Sequence, residues 1–376
     1  MTAAFVRATG EPFDVGYQHG AALAARLRAF LDDGLARVGK LAAGPASLEG
    51  LRPVLAEYDA RIAAATPRLG EEIGGLAAGA GITREEAVLL QVRREVIGYQ
   101  RVPALVRGDC TTYAHLAAGP GGEPVLAQTV DLNGDLDDQI AVLDIGLSGA
   151  GRRALLLSFG GLLGYLGINS DGLAVGLNLV LGGDWGPGLP PYLAIRHLLD
   201  NAGSVAEAIA ILRDLPLASS RTLTLCDRTS VACVELLSGE ARLVGSPQSG
   251  TEGTPARELV HTNHFLHPDF TRYDQLNIFA RNSSALRLKT AVAGLATLGA
   301  PGGAGVEEHF GLLSQPPICV AGNGDIRREK TVAAVVLLPA RGELHLRPGD
   351  PSASATESFR LASASSAEPH PAGAPA

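Results

Sequence analysis

The chain has 376 residues, of which 46% are hydrophobic and 19% charged, and its 31 basic and 39 acidic side chains give a net charge of -8. This length supplies apolar material for one large domain or two ordinary ones. The negative charge argues against general binding to nucleic acid or to anionic membranes.

Targeting and metal-binding signals are absent from the sequence. No charged head precedes an apolar stretch at the N-terminus, and no uncharged apolar run is long enough to cross a bilayer. The four cysteines include no Cys-x-x-Cys pair, which argues against a zinc site and against a dense disulfide framework. The sequence therefore predicts a cytoplasmic protein without metal.

The first part of the chain carries helical periodicity. Apolar residues recur at helical spacing from residue 13 and again from residue 48. Thr83 and Glu86 have the spacing of a capping box, which predicts that a helix begins near Thr83. We therefore expect residues 1–109 to form a helical segment.

The pattern changes at residue 110. Short strand-like runs follow up to about residue 181, helical periodicity returns over 190–215, and a strand pair turns at 227–230. Strands, helices and strands in this order predict two sheets flanked by helices over residues 110–350. Residues 351–376 are rich in Ser, Ala and Pro, and we expect them to be disordered.

Several motifs match a known site only in part. Residues 34–41 resemble a phosphate-binding loop but lack its Ser or Thr and lie within helical periodicity. Residues 131–142 resemble a calcium loop with a misplaced glycine and no final Glu. His261, His264 and His267 alternate between faces if they lie on a strand, which disfavours a shared metal.

Cys110 stands at the boundary between the helical segment and the first strand, before Thr111 and Thr112. If the preceding peptide bond were cut, its thiol would be the nucleophile and its freed α-amino group the base. An α-amine has a pKa near 8 and a thiol near 8.5, so neither group needs a large shift to act at neutral pH. An ordinary buried thiol is the alternative.

Short motifs occur in a fixed order over nearly the whole chain: Gly16-Tyr-Gln-His-Gly20, Cys110-Thr111-Thr112, Gln128-Thr-Val-Asp131, Gly167-Ile-Asn169-Ser-Asp-Gly172-Leu173, Asn263-His264, Ser283-Ser284-Ala-Leu-Arg287 and Ile318-Cys319. Each motif is weak alone. The ordered set resembles the acyl-coenzyme A:6-aminopenicillanic acid acyltransferase family of the N-terminal nucleophile hydrolases.

The resemblance implies an α+β protein, an αββα sandwich of the N-terminal nucleophile hydrolase type. Residues 1–109 would be a helical precursor segment, and residues 110–350 would form the catalytic domain. Self-cleavage of the Asp109–Cys110 bond would free Cys110, and the two resulting chains would stay associated. Fungal members are cut at Gly-Cys, whereas Asp109 precedes the cysteine here.

The resemblance also implies roles for individual residues. Cys110 would attack an amide or thioester carbonyl, Asn263 would donate a hydrogen bond to the developing oxyanion, and Asp131 would orient the new α-ammonium group. The supporting residues would be Gln128, Arg287, Thr111 and Thr112. The substrate would be a small-molecule amide or thioester, with acyl-coenzyme A a candidate acyl donor and no cofactor required.

Three alternatives stay open. The first is a choloylglycine-type N-acyl amide hydrolase, which the long segment before Cys110 and the presence of Gln128 disfavour. The second is an uncleaved, non-catalytic binding protein of the same fold, which Asp109 keeps open. The third is a papain-like enzyme pairing Cys110 with a distant histidine, which is disfavoured because Cys110 begins a strand.

Overall fold

The computed structural model describes residues 2–42, 46–98, 110–116, 123–245, 257–298 and 304–361. Within these residues the helices are α1 (Pro12–Asp32), α2 (Val38–Leu41), α3 (Leu48–Ala65), α4 (Pro67–Ala80), α5 (Arg84–Ile97), α6 (Pro191–Asn201), α7 (Val205–Leu212), α8 (Pro268–Thr271), α9 (Ile278–Leu298) and α10 (Val306–Leu313). A 3-10 turn covers Leu136–Gln139. None of the described helices has the length and apolar content needed to span a bilayer.

The strands fall into two sheets. They are β1 (Ala4–Gly10), β2 (Thr111–Leu116), β3 (Pro124–Leu132), β4 (Ile140–Leu147), β5 (Arg153–Phe159), β6 (Leu166–Asn169), β7 (Ala174–Leu179), β8 (Arg221–Cys226), β9 (Val231–Leu237), β10 (Glu240–Val244), β11 (Glu258–His261), β12 (Lys330–Leu338), β13 (Glu343–Pro348) and β14 (Glu357–Arg360). The larger sheet has the order β1-β4-β5-β6-β7-β8-β9-β10, and the smaller has the order β11-β2-β3-β12-β13-β14. The β1–β4 pair is parallel and the other pairs between these strands are antiparallel.

The two sheets lie face to face, with β2 and β3 against β7 and β8. Side chains alternate along β3, as a strand requires: Leu126 and Val130 face the larger sheet, whereas Val125 and Ala127 pack with Phe310 of α10. Helices α6 and α7 contact the larger sheet, and α9 and α10 contact the smaller one. The predicted α+β, αββα sandwich is confirmed.

The segment before Cys110 is helical where periodicity predicts helices, and the Thr83–Glu86 capping box is present. The segment also contributes a strand that the sequence pattern did not reveal. Strand β1 pairs in parallel with β4, with Ala4 opposite Ala141, and so extends the larger sheet. The segment is therefore built into the sandwich.

Helices α1 and α4 pack backbone against backbone. A Cβ atom added at Gly16 would lie 1.9 Å from the carbonyl oxygen of Glu72, and one added at Gly20 would lie 2.3 Å from that of Leu76. The opposing helix presents Gly75 and Gly79, where an added Cβ would meet backbone oxygens at 1.9 and 2.1 Å. The Gly16-Tyr-Gln-His-Gly20 motif thus has a packing role.

We expect Gly16→Ala to destabilise the protein by about 3 kcal/mol, because two backbones must separate to admit the methyl group. Thermal unfolding of the variant measures this loss. The matched control is Gly311→Ala in α10, where an added Cβ meets nothing within 4 Å. Equal melting temperatures for the two variants would contradict the close contact.

His19 lies in α1 and is fully buried. Neither of its ring nitrogens has a hydrogen-bond partner within the described ranges. Burial, and then the positive charge of Arg196, lowers the pKa of His19 from 6.5 to about 4. As the pH falls, His19 is therefore protonated near pH 6.5 in the unfolded chain but only near pH 4 in the folded protein.

We therefore expect the free energy of unfolding to fall as the pH drops from about 6.5 to about 4, with His19 contributing on the order of 3 kcal/mol. Urea unfolding at several pH values measures this slope, and His19→Leu should make it shallower. An unchanged slope in His19→Leu would show that other groups cause the acid sensitivity.

The predicted disorder of residues 351–376 is wrong for its first part. Strand β14 pairs with β13, with Phe359 opposite Leu344. The ring of Phe359 lies 5.3 Å from the ring of Phe5, centroid to centroid. The Ser- and Ala-rich composition did not predict this strand, because its stabilising contact joins Phe359 to Phe5, near the other end of the chain. Residues 362–376 lie outside the described residues.

Candidate active site

Cys110 lies immediately before β2 and is buried, with 4% of its surface exposed. The pairing of Thr111 with Thr129 brings the start of β2 to the end of β3, where Asp131 lies. The backbone N–H of Asp131 donates to Cys110 Sγ at 3.4 Å, and the thiol lies 3.7 Å from the Asp131 carbonyl oxygen. The strand register alone therefore places Asp131 beside the thiol.

The carbonyl oxygen of Cys110 is held by two side chains. Asn178 Nδ2 donates to it at 3.0 Å, and Arg287 Nη1 donates to it at 2.7 Å. Arg287 also donates to Thr111 Oγ1 at 3.1 Å and to Asn263 Oδ1 at 2.9 Å. Arg287 therefore joins the predicted nucleophile to the predicted oxyanion donor.

Asn178, on β7, was not predicted as a site residue from the sequence. It is fully buried within the run Gly176-Leu-Asn-Leu179, and the only signal was an amide among apolar residues. Its Oδ1 atom has no hydrogen-bond partner among the residues that the structure describes. Asn178 therefore belongs with the groups that surround Cys110.

Asn263 follows β11, whose His261 pairs with Thr112 of β2. The backbone N–H of Asn263 donates to Ser284 Oγ at 2.8 Å, and its Nδ2 donates to the Leu179 carbonyl oxygen at 2.9 Å. The side chain is thus fixed at both ends, with Arg287 on its oxygen.

Cys110, Asp131 and Asn263 line one cavity of about 330 Å³. Arg94 and Arg221 also line it. Arg221 is buried and donates to Glu95 Oε1 at 3.3 Å, and burial raises the pKa of Glu95. Because Arg94 and Glu95 both belong to α5, the segment before Cys110 forms part of the site.

The other predicted site residues lie around this cavity without lining it. Gln128 bridges the two sheets, donating to the Leu177 carbonyl oxygen at 2.7 Å and accepting from the Leu177 N–H at 3.0 Å. Thr111 contacts Arg287, as described above, and Thr112 is buried near Gly176. Asp109, on the other side of the predicted cleavage site, lies outside the described residues, so cleavage stays a prediction.

A second cavity of about 460 Å³ adjoins the first and shares four wall residues with it, including Tyr165 and Tyr192. Its remaining walls are largely apolar and include Phe30, Leu90 and Phe159. Burial raises the pKa of Tyr165 well above its usual value, so its hydroxyl stays neutral. The apolar part of the second cavity therefore adjoins the cavity that Cys110 lines.

The three histidines of the His261–His267 stretch face different partners. His261 Nε2 lies 2.9 Å from Glu235 Oε1, His264 Nδ1 lies 2.7 Å from Ser284 Oγ, and His267 Nδ1 accepts from the Asp269 N–H. Burial lowers the pKa of His264 to about 4, which leaves it neutral near pH 7. None of these contacts supports the papain-like alternative.

An αββα sandwich of two facing sheets is the fold of the N-terminal nucleophile hydrolases. A family model described as acyl-coenzyme A:6-aminopenicillanic acid acyl-transferase matches residues 118–353. The chain belongs to this family, as its motifs predict. The matched residues begin after Cys110, so they do not include the predicted nucleophile.

Individual proteins match this chain at modest sequence identity. The acyl-coenzyme A:6-aminopenicillanic-acid-acyltransferase 40 kDa form of Emericella nidulans is 33% identical over 205 residues, which are 54% of this chain and 54% of that protein. The chain thus spans about half the length of this curated relative.

Two solved structures are similar at low sequence identity. The N-acylethanolamine-hydrolyzing acid amidase ortholog of Caenorhabditis elegans has a TM-score of 0.45 and 17% identity, covering 61% of this chain and 93% of that one. Penicillin V acylase from Agrobacterium tumefaciens has a TM-score of 0.43 and 14% identity, covering 64% and 83%.

Proposed function

We propose that the protein is a self-processing cysteine amidohydrolase or acyltransferase that acts on an N-acyl amide or acyl thioester through a thioester on Cys110. One observation carries the proposal: Cys110, Asp131 and Asn263 line the same cavity. This set supplies a nucleophile, a group that orients an ammonium, and an oxyanion donor.

The first reaction would be self-cleavage. The Cys110 thiol would attack the carbonyl carbon of Asp109, the peptide C–N bond would break, and the Asp109 acyl group would pass to sulfur. The thiol proton would pass to the departing nitrogen, which becomes the free α-amino group of Cys110. Water would then hydrolyse the thioester, which leaves Asp109 as a carboxylate and restores the Cys110 thiol. Residues 110–350 would form the catalytic domain, to which β14 (Glu357–Arg360) adds a strand, and residues 1–109 would be the precursor segment.

In turnover, the freed α-amino group would take the thiol proton while sulfur attacks the substrate carbonyl. One N–H of Asn263 Nδ2 would stay on the Leu179 carbonyl oxygen while the other donates to the developing oxyanion, and Asp131 would orient the α-ammonium group. The ammonium would then protonate the departing amine. Water or an acyl acceptor would attack the thioester, which restores the thiol.

Several contacts support association of the two chains after cleavage. Arg196 of α6 forms a buried two-pronged ion pair with Glu72 of α4, at 2.8 and 3.0 Å. Strand β1 pairs with β4 across the same division. Removing one partner of a buried ion pair leaves the other charge buried and unpaired, so separating the two chains would cost free energy.

The adjoining apolar cavity supports an acyl group as the part of the substrate held beside Cys110. Phe30 of α1 and Leu90 of α5 supply part of its wall, and both precede the predicted break. A carbonyl placed at the thiol would direct its apolar group into this cavity.

The intact mass and N-terminal sequence of the purified protein test this function. We expect two chains that divide between Asp109 and Cys110, the second beginning Cys-Thr-Thr-Tyr. A catalytically active, undivided chain would overturn the mechanism. An undivided, inactive chain would favour the alternative of a binding protein with this fold.

A further inference from the structure

A carboxylate and an imidazole lie together between the two sheets, outside the cavity of Cys110. Glu235 is on β9 of the larger sheet and His261 ends β11 of the smaller sheet, and both side chains are fully buried. His261 Nε2 lies 2.9 Å from Glu235 Oε1. His261 Nδ1 lies 2.8 Å from the Thr262 carbonyl oxygen and donates to it.

The same carboxylate binds the backbone further along the chain. The Leu266 N–H donates to Glu235 Oε1 at 2.6 Å, and the His267 N–H donates to Glu235 Oε2 at 3.1 Å. One side chain of the larger sheet therefore fixes both ends of the segment 261–267. Asn263 lies within this segment.

Burying a carboxylate is costly unless its oxygens are fully hydrogen-bonded. Glu235 meets this requirement with three hydrogen-bond partners, which are the N–H groups of Leu266 and His267 and the ring of His261. A fully satisfied buried network holds a single geometry. Asn263 lines the cavity, whereas Glu235 and His261 do not. Any effect of the pair on chemistry therefore passes through neighbouring residues, and Asn263 is the cavity residue that lies within the segment 261–267.

We propose that Glu235 and His261 are positioning residues that hold the Asn263 amide where it can donate to the oxyanion. This inference rests on the proposed function. Arg287 fixes the oxygen of the Asn263 side chain, as described above, and the Glu235–His261 pair fixes the backbone that carries it. Without the pair, the segment 261–267 would lose the contacts that Glu235 makes with its two ends.

The test is Glu235→Gln, which preserves shape but puts an amide NH₂ in place of one acceptor. With the N-acyl-4-nitroanilide that the wild type hydrolyses fastest, among acetyl to decanoyl and phenylacetyl, we expect kcat to fall about tenfold and KM to change by less than about twofold. In an Asn263→Ala background the same substitution should cost less than about twofold, because the donor to be positioned is gone.

The matched control is Asp144→Asn, since Asp144 is another fully buried carboxylate of the larger sheet and pairs with Arg7 and Arg153. It should lower the melting temperature and leave kcat unchanged. Losses from Glu235→Gln and Asn263→Ala that simply multiply would overturn the proposal, since Glu235 would then act through general stability.

If Glu235→Gln fails to fold, two replacements of His261 decide the question. His261→Gln can place an amide NH₂ toward Glu235, whereas His261→Leu cannot donate at all. We expect His261→Gln to retain most of the kcat and His261→Leu to lose about tenfold. Equal kcat values for the two variants would overturn the proposal.

Measurements on the wild-type protein distinguish a failure of this inference from a failure of the proposed function. A wild-type protein that neither divides at Cys110 nor hydrolyses any of the anilides would overturn the proposed function together with this inference. A dividing, active wild type whose Glu235 and Asn263 losses multiply would overturn the positioning role alone.

Discussion

Cys110→Ala should remain a single chain and lose turnover by at least about 10⁴-fold, because the proposed mechanism uses one sulfur atom for both self-cleavage and acyl transfer. Cys110→Ser should divide slowly and incompletely, since a hydroxyl is a weaker nucleophile than a thiol in the same place. Intact mass gives the fraction divided, and steady-state hydrolysis of an N-acyl-4-nitroanilide gives the turnover.

Cys233→Ala is the matched control, since Cys233 is also a free, buried thiol but lies in β9. Burial raises the pKa of Cys233 far above its usual value, which makes it unreactive. This variant should divide and turn over like the wild type. Normal division in Cys110→Ala would mean that another group cuts the chain, and the mechanism proposed here would be wrong.

Asn263→Ala should lower kcat by at least about a hundredfold, because it removes the proposed oxyanion donor. Asn263→Asp separates the two functions of this side chain: it keeps an acceptor for Arg287 but has no N–H to donate. We expect the Asp variant to lose at least as much activity as the Ala variant.

Single-turnover acylation of Cys110, followed by mass, shows whether the loss lies in the chemical step. Asn201→Ala is the control, because Asn201 is an exposed residue that donates to the His197 carbonyl oxygen within α6. A loss of less than about tenfold in Asn263→Ala would indicate that this residue only ends the strand and contributes little to the oxyanion.

The sequence predicted most of what depends on neighbouring residues. Helical periodicity and the Thr83–Glu86 capping box identified helices before residue 98, because both signals are local. The order of the strands could not be predicted, because pairs such as β3 with β12 join residues some two hundred positions apart, Gln128 with Val335 for example. Strand β1 was missed because its run Ala4–Gly10 owes its place to β4, far along the chain.

The candidate site likewise contains residues that motifs predicted and residues that only long-range contacts reveal. Ordered motifs selected Cys110, Asp131 and Asn263, and the structure places all three around one cavity, although their roles stay predictions. Asn178 was missed because its importance comes from facing Cys110 across the two sheets. Glu235 was missed because a single Glu in a strand carries no motif; only folding shows which backbone groups it binds.

The walls of the two adjoining cavities come from both sides of the predicted break, with Phe30 and Arg94 before it and Cys110 after it. Competence would then be a property of the heterodimer, and either polypeptide alone would be inert. A gene split at this junction, with each half translated separately and the second half supplied with a free N-terminal cysteine, should reconstitute the enzyme without any self-cutting step. A continuous chain would then be needed neither for assembly nor for turnover.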